Sequence, residues 1–93
     1  MTELPLIKVT KAEPVGGHRL RLRFSDGSSG ERDFADIVAG DRPMLEPLRD
    51  PAYFARVFVE FGAPTWPNGY DLAPNALHAE MADAGLLRHP AAV

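Results

Sequence analysis

The sequence predicts a two-layer α+β fold, with a twisted, mainly antiparallel sheet of four to five strands and helices packed on one face. Three observations support this prediction. Residues 19–24 alternate strictly between arginine and apolar side chains, which is the period of a β-strand. Asp26 and Gly27 follow, a pair typical of a hairpin turn, and apolar residues recur at helical spacing after Pro74. The predicted order of elements is β-β-β-α-β-β-α.

The composition is that of a small globular domain. The chain has 93 residues, of which 45% are hydrophobic and 25% charged, enough for one modest core. No apolar run approaches the ~20 residues that cross a bilayer, and the N-terminus carries an acid where a signal peptide carries basic residues. The absence of cysteine fits a reducing compartment. We expect one cytoplasmic domain over residues 1–93, without membrane contact and with 86–93 as a partly ordered tail.

Alternation predicts the first two strands. Ile7 and Val9 alternate with polar residues, and the segment 13–18 then supplies the proline and glycines of a connection. Within 19–24, the three apolar side chains share one face and the three arginines share the other.

The register of the hairpin that follows depends on the length of its loop. A three-residue loop over 25–27 sets Arg21 opposite Glu31 and Arg19 opposite Asp33. A two-residue loop would instead turn both carboxylates toward the core, which is costly. We therefore predict the longer loop and two cross-strand charge pairs.

The middle of the chain predicts short helical pieces. A helix capped by Asp33 and ended by Gly40 is followed by proline-rich residues 41–48, whose apolar side chains form an irregular cover over one edge of the core. Asp50 and Pro51 form an N-cap and first-position pair, which predicts one helical turn before the next strand.

Two further strands are predicted in the second half. Val57, Val59 and Phe61 alternate with Phe58 and Glu60, and Val57 and Val59 are expected to lie in the core. A glycine and a proline then lead to a short strand around Thr65 and Trp66.

The last helix begins at Pro74, with Leu77, Met81 and Ala84 on one face and Gly85 as its stop. The apolar faces of all these elements predict the core. Its expected members are Leu20, Leu22, Phe24, Ile37, Val57, Val59, Leu77 and Met81.

No residue pattern indicates catalysis, a metal or a cofactor. The three histidines, His18, His78 and His89, form no pair at ligand spacing. The serines near Asp26 belong to a hairpin turn, and no glycine-rich loop opens a helix as a phosphate cradle would. We therefore expect a protein that is not an enzyme, with no bound cofactor.

A basic face offers one candidate site. Lys8, Arg19, Arg21 and Arg23 are the residues that would contact a nucleic acid. Against this, the chain has a formal charge of -3 and a pI near 5.5, acidic residues oppose two of the arginines, and no aromatic residues interleave on that face. A solvated, ion-paired sheet face is the favoured interpretation.

The segment WPNGYDLAP offers a second candidate site, because it places two aromatic residues, an amide and a carboxylate around a tight turn. A structural explanation is also available, in which Asp71 caps the final helix. The predicted interaction surface consists of Phe58, Trp66, Asn68, Tyr70 and Asp71.

These motifs together resemble a known family. The segments LRFSDG, LRDPAYFARV and WPNGYDLAP, with Asp33 and the short helix ending at Gly40, are similar to domain-of-unknown-function family 2442 over about residues 4–81. The resemblance implies a two-layer α+β fold, as in the N-terminal domain of larger members that carry a helix-turn-helix domain, and no known reaction. Some members resemble products of gene pairs reminiscent of toxins and antitoxins.

This chain departs from the family pattern at two points. It ends soon after the last helix, so the role of a helix-turn-helix domain is not carried over. Ala73 stands where many members have a polar capping residue. We expect a non-enzymatic protein-interaction module that binds another protein or a second copy of itself, as a homodimer. The alternative is a regulatory or antitoxin-like protein that contacts nucleic acid through the arginine face.

Overall fold

The computed structural model describes residues 6–89. The first half forms a three-stranded antiparallel sheet in the order β1-β2-β3, from β1 (Val9–Pro14), β2 (Arg19–Phe24) and β3 (Ser29–Asp33), followed by helix α1 (Ala35–Val38). The first strand thus begins at Val9, two residues later than the alternation from Ile7 predicts.

The second half contains two single-turn 3-10 helices, two α-helices and a β-hairpin. They are the 3-10 helices Pro43–Leu45 and Pro47–Arg49, α2 (Pro51–Phe54), β4 (Phe58–Glu60), β5 (Ala63–Thr65) and α3 (Pro74–Asp83). The helical turn predicted after Asp50 is therefore a separate helix, and the Asp50 carboxylate accepts a hydrogen bond of 3.0 Å from the Ala52 amide. The observed order is β-β-β-α-α-β-β-α, with one helix more than predicted.

The predicted hairpin between β2 and β3 is confirmed. Its three-residue loop closes through the Gly27 amide, which donates to the Phe24 carbonyl at 3.0 Å, and Gly27 has φ +88°. The register sets Arg21 opposite Glu31, as the charge pattern predicts.

The α+β class is confirmed, but the strands form two sheets where one was predicted. Among the strands of residues 6–89, β4 and β5 pair with each other and not with β1, β2 or β3, through a turn in which Phe61 and Gly62 both have positive φ. The Val9 amide donates to the Gly62 carbonyl at 2.8 Å, which ties β1 to this turn. Pro64 lies at the centre of β5 and has no N–H for a further ladder.

The core lies on one face of the three-stranded sheet, where the side chains of α1, α2 and α3 meet the apolar face of β2. Its buried members are Val9, Leu20, Leu22, Phe24, Phe34, Val38, Leu45, Leu48, Phe54, Trp66, Leu77 and Met81. Ile37 and Val57 pack against it and are partly buried.

Val59 was also predicted to be in the core, and this prediction is wrong. Its side chain is 37% exposed, and Phe61 of the same alternation is 95% exposed. The volume beside β2 is filled by a run of aromatic rings, in which Phe54 lies 6.1 Å from Phe34 and 5.3 Å from Trp66 between centroids. The apolar side of β4 therefore has no core to face.

The segment after α3 returns to the sheet. Arg88 and Ser29 exchange two backbone hydrogen bonds of 2.9 and 2.7 Å, so that 86–88 lies along the outer edge of β3. The rest of the predicted tail, 90–93, lies outside the described residues. Within the described part of the chain, no helix has the length and apolar character needed to cross a membrane.

Candidate functional site

The exposed face of the three-stranded sheet carries the arginines of β2, and two of them are ion-paired. Arg21 bonds Glu31 of β3 at 2.9 Å and Glu13 of β1 at 3.3 Å. Arg19 reaches the other oxygen of Glu31 at 3.3 Å. The hydrogen bond to Glu31 raises the pKa of the Arg21 guanidinium. Two of the four cations predicted for this face are therefore paired with carboxylates within the sheet.

The predicted pair between Arg19 and Asp33 does not form through side chains. The two residues lie opposite each other in the ladder, but the Asp33 carboxylate accepts a hydrogen bond of 2.9 Å from the Ala35 amide. Asp33 thus supports the start of α1 from the position before the N-cap, which is Phe34 and not Asp33 as predicted. Glu31 serves both arginines in its place.

Arg23 has a different environment from the other two arginines. The ladder sets Lys11 of β1 opposite Arg23, Arg23 opposite Ser29, and Ser29 opposite Arg88. Residues directly opposite in a ladder share a face, so three cations lie in one line across the sheet. We call Lys11, Arg23 and Arg88 the basic row.

The basic row is exposed and borders a shallow depression. Among residues 6–89, none of its three cations has an ion-pair partner. A depression of about 430 Å³ is lined by Arg23, Gly27, Ser29, Arg88 and His89. Sequence reasoning missed two of the three residues: Lys11, which lies opposite Arg23 after an irregularity in the register of β1, and Arg88, which falls in the predicted tail.

Lys8, the fourth residue of the predicted nucleic-acid face, lies apart from the row. Its aliphatic stem covers Gly62 at the β4–β5 turn, where a Cβ would lie 2.8 Å from the Lys8 Cβ. The structure thus divides the predicted face into the ion-paired Arg19 and Arg21, the row residue Arg23, and Lys8 at the hairpin.

The WPNGYD turn is built largely for structure. Trp66 is 1% exposed, and its indole N–H donates to the Phe54 carbonyl at 2.9 Å, so its side chain cannot belong to the predicted interaction surface. The side-chain Nδ2 of Asn68 donates to the Met44 carbonyl at 2.8 Å, and its Oδ1 accepts from the backbone amide of Tyr70 at 3.1 Å. These bonds tie the turn to the 3-10 segment.

Asp71 does not cap the final helix, contrary to the structural prediction. The N-cap position of α3 is Ala73, and no side chain bonds the helix start there. Asp71 forms a backbone bridge with Thr65, which places it two residues too early. Its side chain is exposed, and within the described part of the chain it has no hydrogen-bond partner.

The hairpin β4–β5 presents apolar side chains to solvent. Phe58 is 43% exposed, Val59 is 37% exposed and Phe61 is 95% exposed at the tip. Phe61 also has φ +51°, a left-handed conformation that is unusual for a bulky side chain. We call Phe58, Val59 and Phe61 the aromatic hairpin.

A cluster of polar residues joins the β2–β3 loop to α3. One oxygen of Asp26 accepts from the Ser28 amide at 2.9 Å and the Ser28 hydroxyl at 2.5 Å, and the other lies 2.9 Å from His78 Nε2. The His78 ring stacks edge-on against Phe24, 5.0 Å away. The bonds from Ser28, followed by His78, lower the pKa of Asp26 to about 2.

This cluster differs from a hydrolase triad. A nucleophilic serine bonds a histidine that can take its proton, and the carboxylate orients that histidine. Here the Ser28 hydroxyl donates to the carboxylate itself and is fully buried. The arrangement holds the loop against α3 and presents no nucleophile to solvent.

Fold and surface together define a small α+β domain whose exposed features are an apolar hairpin and a line of cations. The chain belongs to the family described as protein of unknown function (DUF2442), whose model matches residues 9–82. No curated protein matches the chain.

A solved structure is also similar. It is the crystal structure of a protein from Nitrosomonas europaea ATCC 19718 named "Putative DNA Binding Protein", with 33% sequence identity and a TM-score of 0.72. The match covers 91% of this chain and 56% of that one, so this chain spans little more than half the length of its neighbour.

Proposed function

We propose that this chain is a non-enzymatic protein-interaction module that binds another protein through the aromatic hairpin. The observation that carries the proposal is Phe61, whose ring is almost fully exposed and whose backbone is left-handed. The absence of cysteine from the sequence supports a cytoplasmic setting for this function.

Both properties of Phe61 are unfavourable in the isolated chain. A left-handed conformation costs an L-residue roughly 1–2 kcal/mol, and two-residue turns of this kind favour Asn-Gly in place of Phe-Gly. An exposed aromatic ring leaves apolar surface in contact with water, which is unfavourable. Residues held at such a cost are characteristic of functional sites.

The neighbours of Phe61 extend the surface that a partner would cover. Phe58 and Val59 are also partly exposed. Aromatic residues are enriched at protein interfaces and often supply most of the binding energy. A partner protein with an apolar pocket would accept the Phe61 ring at the tip, while Phe58 and Val59, which are consecutive in β4 and point to opposite faces of the hairpin, would provide contact on either side of it.

The experiment combines stability with capture. Phe61→Asn produces the favoured Asn-Gly turn, so its melting temperature should rise by about 4–8 °C, the equivalent of ~1 kcal/mol in a domain of this size. Tagged wild-type protein should retain a partner from the source cells that Phe61→Asn loses. Met44→Ser removes an apolar side chain that is 43% exposed and lies outside the hairpin, and this variant should retain the partner.

Two results would count against the proposal. Equal capture by wild type and Phe61→Asn would remove the hairpin from the interface. A melting temperature that falls would mean that Phe61 supports the fold. Sedimentation of the purified wild type and the Phe61→Asn variant shows whether the partner is a second copy of the chain or a different protein.

Contact with nucleic acid is a second candidate function. It is supported by the name of the structural neighbour and by the basic row. The ion pairs of Arg19 and Arg21 argue against the predicted arginine face as a whole, so the contact would have to involve other residues.

A further inference from the structure

We infer that the basic row, Lys11, Arg23 and Arg88, is a binding site for the phosphate backbone of a nucleic acid. The inference rests on the second proposed function and names its site. It moves the contact away from Arg19 and Arg21 and adds two residues, from β1 and from the segment after α3.

The row has the dimensions of a short run of phosphates. Neighbouring strands lie about 4.7–4.9 Å apart, so three steps from Lys11 to Arg88 span roughly 14 Å. One strand of B-DNA advances about 3.4 Å along the helix axis per phosphate, so a row aligned with that axis spans about four nucleotides. The Ser29 hydroxyl between Arg23 and Arg88 adds a hydrogen-bond donor.

The charges of the neighbouring ladder row, formed by Glu13, Arg21 and Glu31, limit the direction in which a polyanion can lie on the sheet. Glu13 and Glu31 are each bonded to Arg21, and the three residues together carry a net charge of -1. A polyanion crossing the sheet toward Arg19 would meet these carboxylates. A polyanion that follows the basic row meets three cations, and within residues 6–89 no acidic side chain is bonded to them.

The groups in the row recognise phosphate and not sequence. Lysine and arginine bind backbone oxygens, whereas sequence is read at the edges of bases. The row has no aromatic side chain on which a base could stack. Binding should therefore be weak, insensitive to sequence and strongly dependent on salt.

The test is the salt dependence of binding to a fluorescein-labelled 20-base-pair duplex of random sequence, followed by anisotropy. Three phosphate contacts predict a slope of log K against log salt of about -2.7, from ~0.9 for each contact. Lys11→Gln, Arg23→Gln and Arg88→Gln should each weaken the slope by about 0.9. Arg42→Gln makes the same change of net charge in the loop after α1 and should leave the slope unchanged.

The possible outcomes distinguish failure of the proposed site from failure of the nucleic-acid function. A wild-type protein that binds no duplex even in low salt overturns both the inference and the nucleic-acid function. Binding with equal slopes in wild type and the three row variants overturns the site alone. Retention by phosphatidylserine vesicles without binding to the duplex would replace nucleic acid with a membrane surface. Thermal melts of each variant confirm that it remains folded.

Discussion

Asp26 shows how one side chain links the two layers. It accepts two hydrogen bonds from Ser28 in its own loop and contacts His78 on α3. These partners favour the ionised carboxylate, which is why the pKa of Asp26 falls from 3.8 to about 2. Its pKa is lower in the folded chain than in the unfolded one, so folding gains stability above about pH 4. That gain is lost as the pH falls from 3.8 to about 2.

We predict that Asp26→Ala destabilises the protein at neutral pH and that part of the loss disappears in acid. After discounting for the solvent exposure of Asp26, the pH-dependent part should be about 1 kcal/mol. Urea unfolding at pH 7, 4 and 2 measures it. Asp41→Ala removes an exposed carboxylate that has no partner within the described residues, so it serves as the control. A constant difference between wild type and Asp26→Ala from pH 7 to 2 would contradict the prediction.

Two strands with the same alternation have different environments in the structure. Leu22 on β2 is fully buried because helices cover that face of the sheet. Val59 on β4 is 37% exposed because its hairpin lies beside the sheet, and the space in front of β2 is already filled by Phe54 and Trp66. The period of a strand predicts which residues share a face, but not whether that face is covered.

Leu22 and Val59 should therefore respond differently to truncation. Leu22→Ala should reduce the free energy of unfolding by roughly 2–5 kcal/mol, because it leaves a cavity in a packed core. Val59→Ala should cost about 0.5 kcal/mol or less, as surface substitutions do. Denaturant titrations give both values. Similar losses in the two variants would mean that β4 is covered in solution.

At the scale of the whole molecule, the end of the described chain completes the edge of the main sheet. Segment 86–88 runs beside β3, and the Leu86 carbonyl lies so close to Gly30 that a Cβ there would sit 2.2 Å from its oxygen. Glycine at position 30 is thus required by the approach of a distant backbone. The same contact brings Arg88 next to Ser29 and completes the basic row.

Gly30→Ala should displace this segment. The added methyl group must move either β3 or Leu86, which we expect to cost about 1–3 kcal/mol. Hydrogen exchange should accelerate at the amides of Ser29 and Arg88, which bond each other's carbonyls. The Trp66 amide, bonded to Tyr70 in the other half of the chain, is the internal reference. Unchanged exchange at Arg88 would show that the close approach is not maintained in solution.

The sequence by itself determined the local features of this protein. The period of β2, the three-residue loop and the Arg21–Glu31 pairing could all be predicted, because turn chemistry and cross-strand charge act over a few residues. The Asp50 cap was predictable for the same reason. Such local motifs also carry the resemblance to the family, and membership is confirmed by the match of the family model to residues 9–82.

Only the tertiary structure decided which surfaces are free. Trp66 is buried because α2 supplies both an aromatic neighbour and a carbonyl for its indole, and Val59 is exposed because that aromatic packing has already filled the core. Arg88 joins Lys11 and Arg23 because it pairs with Ser29, which lies 59 positions earlier in the chain. These outcomes depend on contacts between residues far apart in sequence, and the free energy of such packing leaves no periodic signal in the chain.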